Sequence, residues 1–158
     1  LDDGSCPSAA SVPRVRGIVS FFAPLDLRED APIGDYCHRI VDNFVAGASS
    51  AHRREGSPIA LLDANDPPFL IVHGARDEVV DPAMGRAMQR ALANARVPVT
   101  LLQPANLGHG IDFLSAAPER RQETCTTLAF LGAQLGSAEA KPSPQRGDEG
   151  TESFDSLP

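Results

Sequence analysis

The sequence has no tryptophan, one tyrosine and only three cysteines in 158 residues. Cys6, Cys37 and Cys125 are far apart and show no C-x-x-C spacing, so neither a structural zinc site nor a thioredoxin-like dithiol fits. Cys125 falls on a helical pattern and reads as a small core residue. A Cys6–Cys37 bridge has nothing in the sequence behind it. No apolar run approaches the ~18 residues of a membrane span. Positive charge is also scarce, with 14 Lys and Arg against 21 Asp and Glu for a net charge of −7. That balance argues against nucleic acid as a partner, because phosphate binding relies on clustered basic side chains. The pairs Arg53-Arg54 and Arg120-Arg121 have acidic neighbours and read as solvated faces. An initiator methionine is missing, as is a leader with a basic start and an apolar centre. Leu1-Asp-Asp-Gly4 therefore reads as the start of a piece of something longer.

What is present suffices for one domain with a core: 42% of the residues are hydrophobic and 22% charged. Residues 1–13 read as a loop. Val15 to Phe22 is β-branched and aromatic, a strand ended by Ala23-Pro24. Residues 25–58 are irregular, with Tyr36, Ile40, Val41, Phe44 and Val45 at helical spacing and Gly47 as a stop. So long a connection is expected to be a lid or substrate-facing insertion, or else to supply a packing helix. Phe69-Leu-Ile-Val-His73 is a continuous apolar run, the mark of a strand buried on both faces of a parallel sheet. Asp81 is expected to cap the next helix, with Pro82 at its first position and Met84, Met88, Ala91, Leu92 and Ala95 as its buried stripe. A strand over 97–102 follows, with Pro98 at its start or on an edge. Pro118 opens a last helix on which Leu128, Leu131 and Leu135 share a face, and Gly136 ends it. Residues 137–158 have the composition of a disordered tail, with Phe154 as the one aromatic.

Two loops carry the chemistry. A strand, a helix and a second strand form a βαβ unit, so the strands run parallel and end at one edge of the sheet. Asp77 lies in the loop after the first strand and His109 in the loop after the second. Neighbouring strands are ~4.8 Å apart, which brings these side chains within hydrogen-bond reach. Gly74 frees the turn before Asp77, while Gly108 and Gly110 free the backbone around His109. An imidazole held by a carboxylate keeps one tautomer and tolerates a developing positive charge, as the acid and base of serine-type acyl transfer must. Asp26 follows the strand at 15–22 and is an alternative acid, though its strand is not the neighbour of the one leading to His109. His73 reads as a packed, satisfied histidine; His38 and His52 read as exposed residues of the insertion. A metal site from His73, Asp77 and His109 lacks the usual ligand spacing. Asp112 is a candidate for shaping the histidine loop.

On Arg14 to Leu27, Ser57-Pro-Ile59, Asp66 to Asp77 and Gly108-His-Gly110, the chain resembles the C-terminal half of an α/β-hydrolase. The branch is that of esterases and lipases, with the feruloyl-esterase-like and prolyl-oligopeptidase-like enzymes. The resemblance covers about residues 14–135. It implies an α/β fold whose last three strands lie near 15–22, 69–73 and 97–102, within a partial domain over 1–136. It also implies Asp77 as triad acid, His109 as general base, no cofactor, and a small-molecule ester or acyl substrate. One part of the pattern is missing: no G-x-S-x-G occurs, so this chain holds no nucleophile. Gly47-Ala-Ser-Ser-Ala51 is the nearest imitation, and Ser57, before Pro58, reads as structural. The expectation is therefore a truncated serine hydrolase, inactive alone. The alternatives are a fragment of a prolyl-oligopeptidase-type peptidase, or a non-catalytic remnant that self-associates through an exposed sheet edge.

Overall fold

Four consecutive apolar residues, Phe69–Val72, form the central strand β2 and are all buried. Side chains alternate across a strand, so Phe69 and Ile71 enter one core cluster while Leu70 and Val72 enter another on the opposite face. The structure, a computed structural model, describes residues 15–45, 47–110 and 118–136. The expectations for Cys6, Asp112, the N-terminal loop and the 137–158 tail lie outside those residues, as does the side chain of Phe44. Strand β1 (Ile18–Phe21) and strand β3 (Val99–Leu102) flank β2, both parallel to it. The register is flush: Phe21 lies level with Val72, and Val72 with Leu102. The strands therefore occupy the three predicted segments but are shorter. Pro98 stands just before β3, where its carbonyl accepts from Phe69 N.

Between β1 and β2 run helix α1 (Gly34–Phe44) and the short helix α2 (Ser50–Glu55). The stripe expected on α1 is rotated. Ile33, Cys37 and Val41, spaced four apart, are buried, whereas Tyr36 and Ile40 stand about half exposed. Through this stripe, with the small Cys37 at its middle, α1 joins the core. There its residues join Val80, Met84 and Met88, so α1 packs as a core helix. Past its end, Gly47 adopts φ +74, a conformation open to glycine without a Cβ penalty.

Helix α3 (Ala83–Asn94) connects β2 to β3 and buries Met84, Gly85, Met88 and Leu92. Its N-cap is Pro82, one residue later than expected. Asp81 still meets an unsatisfied first-turn donor: its Oδ1 accepts from Ala83 N at 2.7 Å. Ala91 and Ala95 are only half-buried.

The second cluster (Phe22, Leu70, Val72 and Leu107) lies on the other face and is approached by Phe130 of helix α4 (Arg121–Leu135). Here the core reading of Cys125 fails, and the face that the leucines share is an exposed one. The buried residues of α4 are Glu123 and Thr127, while Cys125 is exposed, as are Leu128, Leu131 and Leu135. At 100° per residue Cys125 lies about 200° from Glu123, so a helix seated on its 123/127 side turns the thiol away. No helix among the described residues is long and apolar enough to cross a membrane.

Candidate active site

The flush strand ends release three loops from one sheet edge. After β1 comes Phe22, at φ 50 and 5% exposed. After β2 comes the segment from His73 to Asp77, and after β3 the segment leading to His109. The last two are stitched together by backbone. Ala75 N donates to Pro104 O at 3.0 Å, and Arg76 N to Leu107 O at 2.9 Å. Gly74 matters for closeness, since a Cβ there would collide with the carbonyl oxygens of Leu107 and Gly108. Its role is thus to admit the histidine loop rather than to free a turn. Gly110 has φ +152, whereas Gly108 has no positive φ.

His109 Nδ1 lies 2.9 Å from Asp77 Oδ2 and 3.1 Å from Oδ1. The Asp77 side chain is fully buried and that of His109 is 38% exposed. Two more donors fix the carboxylate, as Val79 N and Val80 N each reach Oδ1 at 2.9 Å. An ionised carboxylate can only accept, so the Nδ1 that faces it is the nitrogen that bears a hydrogen, and in the neutral ring Nε2 is left with its lone pair. The Phe22 ring lies 5.6 Å from the His109 ring and 6.2 Å from that of His73. His73 itself is buried, with Nε2 2.9 Å from Val80 O and 3.3 Å from Asp77 Oδ2. The contact of His73 with Asp77 went unread in the sequence, although a spacing of four across a strand end was a signal for it. Phe22 carried no such signal.

The other candidates are employed elsewhere. Asp26 is buried, but it grips Arg28 through Oδ1–Nε at 2.8 Å and Oδ2–Nη2 at 2.6 Å. The Arg28 guanidinium holds the Asp26 carboxyl below its ordinary range, against the opposing effect of burial. Ser57 Oγ donates to Arg53 O and accepts from Leu27 N, a structural role as expected. Ser49 caps α2 by accepting from His52 N. Burial, with the Asp77 charge second, raises the Cys37 thiol. Among the described residues, no group of three His, Cys, Asp or Glu side chains could hold a metal ion. A cavity of about 250 Å³ within the insertion is lined by Arg28, Arg53 and Arg54 with Glu29, Asp30 and Ser50. Neither Asp77 nor His109 borders it.

Comparison with known proteins adds to this geometry. A family model described as BD-FAE matches residues 3–92, a span that includes Asp77 but stops before His109. The esterase LipC of Mycobacterium tuberculosis is 34% identical over 114 residues, which are 72% of this chain and 28% of LipC. The chain thus spans less than a third of that relative. Among solved structures, a truncated carbohydrate esterase from gut microbiota superposes with a TM-score of 0.60 at 23% identity, over 77% of this chain and 43% of that one. A puromycin-hydrolysing peptidase of M. tuberculosis superposes with a TM-score of 0.64 at 24% identity, over 77% of this chain and 18% of that one. At such identities the likeness shows the fold: three parallel strands and flanking helices of an α/β-hydrolase.

Proposed function

The chain belongs to the BD-FAE family of esterase-like α/β-hydrolases, and on that premise we propose that Asp77 and His109 are the acid and base of a serine esterase. The carrying observation is the 2.9 Å contact of His109 Nδ1 with the wholly buried Asp77 carboxylate. In this reading a serine outside the present sequence attacks the ester carbonyl. His109 Nε2 takes the serine proton and returns it to the leaving alkoxide; Asp77 keeps the ring in the Nδ1–H tautomer and stabilises the imidazolium. Water then attacks the acyl-enzyme by the same proton path. The sequence lacks a G-x-S-x-G motif, so the 158 residues alone should hydrolyse nothing. A carboxylic ester is the preferred substrate class because LipC is an esterase. The puromycin-hydrolysing neighbour keeps an amide bond as the runner-up.

A second reading rests on the outer edge of β1, which no strand pairs among the described residues. An open edge is a template for another strand, so the isolated chain would self-associate there.

The test is hydrolysis of a short-chain p-nitrophenyl ester by this chain, and by the chain joined to the polypeptide encoded upstream, each with His109→Ala. Activity confined to the longer protein and abolished by His109→Ala supports the reading. His109-dependent hydrolysis by the short chain would overturn the external serine. An active longer protein indifferent to His109→Ala would overturn the assignment of the base.

A further inference from the structure

Of the buried polar groups at the strand ends, His73 is the one that the acid–base reading of Asp77 and His109 leaves without a task. Its ring is 1% exposed. Nε2 lies 2.9 Å from Val80 O, and a carbonyl oxygen can only accept, so Nε2 carries a proton. The same nitrogen is 3.3 Å from Asp77 Oδ2, which sets the positive end of the N–H dipole against the carboxylate.

These contacts close a loop. Val80 accepts from His73 through its carbonyl and donates to Asp77 Oδ1 through its N–H. Oδ1 is thereby held by Val79 and Val80, and Oδ2 is left facing His109 on one side and His73 on the other. The His73 ring cannot drift. Phe22 meets it edge-on at 69°, and a Cβ on Gly85 would stand only 3.1–3.3 Å from its Cβ, Nδ1 and Cγ atoms. The Gly85 contact shows that the α3 backbone is drawn against the imidazole. Among the described residues two further ionisable groups face Asp77: His109 from the loop after β3, and the Cys37 thiol of α1, which feels the Asp77 charge. A protonated His73 would compete with His109 for that charge; an uncharged one orients the carboxylate without doing so.

We propose that His73 is a positioning residue: its neutral imidazole, donating from Nε2 to Val80 O, keeps the Asp77 carboxylate turned toward His109. This rests on the acid–base reading of that pair.

The experiment is NMR of the ¹⁵N-histidine-labelled chain from about pH 5 to about pH 9, alongside His73→Gln and His73→Leu. At neutral pH the His73 ring should show the Nε2–H tautomer that its contact with Val80 O demands, and the same spectra follow His109. His73→Gln keeps an N–H at similar reach and should leave the His109 midpoint within about 0.2 pH units. His73→Leu, of comparable size but without a donor, should lower that midpoint by about half a unit or more, since a carboxylate that turns away no longer stabilises the imidazolium. An Nδ1–H tautomer or a charged His73 in the wild-type chain at neutral pH would overturn the proposal, and this measurement stands even if His73→Leu fails to fold. So would a folded His73→Leu chain whose His109 midpoint stays in place or rises. None of these readouts depends on ester hydrolysis. A His109 midpoint indifferent to Asp77→Asn would instead sink the acid–base reading itself.

Discussion

Leu107 and Gly74 meet through backbone alone: the Leu107 carbonyl occupies the space in which any side chain on Gly74 would begin. The same carbonyl accepts from Arg76 N at 2.9 Å. One close approach thus sets the distance between the loop that carries Asp77 and the loop that carries His109. Gly74→Ala should force these loops apart and cost about 3 kcal/mol of stability, the upper range for overpacking against atoms that cannot yield. Urea unfolding measures the loss. A variant as stable as wild type would show that the loops adjust to each other more freely than this contact implies.

In a longer protein that supplies the proposed serine, Asp77→Asn should lower kcat by about 10³- to 10⁴-fold while KM changes little. The amide leaves the geometry nearly intact but no longer holds the His109 tautomer or its charge. Steady-state kinetics on a p-nitrophenyl ester decide it. A rise in KM with kcat preserved would place Asp77 in substrate binding.

Acid stability should depend on Asp26. Its carboxyl is held below the usual range by Arg28, so the folded state binds its proton less readily than the unfolded chain does. The stabilisation is therefore fully present above the ordinary carboxyl value and fades as pH falls through the depressed folded value. Asp26→Asn should cost about 1 kcal/mol at neutral pH, a figure kept small because Arg28 is partly open to solvent. The difference should shrink toward zero in acid. Denaturation of both proteins across pH gives the curve, and a constant difference would rule out this ion pair as its source.

The two described thiols should differ in reactivity. Cys125 is exposed, whereas Cys37 is 3% exposed and its thiol is raised by burial and by the Asp77 charge. Thiolate is the reacting form, so maleimide should label Cys125 at least about tenfold faster than Cys37 in the native chain, and both equally in denaturant. Peptide mapping separates the sites. Equal native rates would mean that α1 does not stay seated in the core.

Exchanging Leu128 for Lys should change the stability of this chain by no more than about 0.5 kcal/mol, because the side chain is 62% exposed. Thermal unfolding is the check. A loss of several degrees would place that leucine against residues outside the described set.

Much of this could be read in advance because it depends on strand runs and their order. Phe69–Val72 has no alternation and is buried on both faces; Asp77 and His109 meet because βαβ topology sends both loops to one edge. Other features depend on which face an element shows to its neighbours. Spacing alone put Tyr36 and Ile40 on a stripe that packing turned by one residue, so that Ile33 and Cys37 lie inside. On α4 the leucines stand exposed while Glu123 and Thr127 are buried, and Phe130 is the apolar residue that reaches the sheet's second cluster. Likewise, Gly74 was legible as necessary, but the neighbour it admits, Leu107, was not.

The flush register of the strands has a consequence for how this protein can vary in length. Phe22, His73 and Gln103 follow residues that are level across the sheet, so the meeting of Phe22 with His73, and of His73 with Asp77, is stored as a residue count along each strand. One residue added to or removed from β2 would raise or lower Asp77 by ~3.3 Å and send each following side chain to the opposite face. Insertions and deletions are tolerable in the exposed turn at 63–65, upstream of that count, and ruinous between Phe69 and Asp77. Homologous genes should accordingly differ by gaps in the first interval and by substitutions alone in the second.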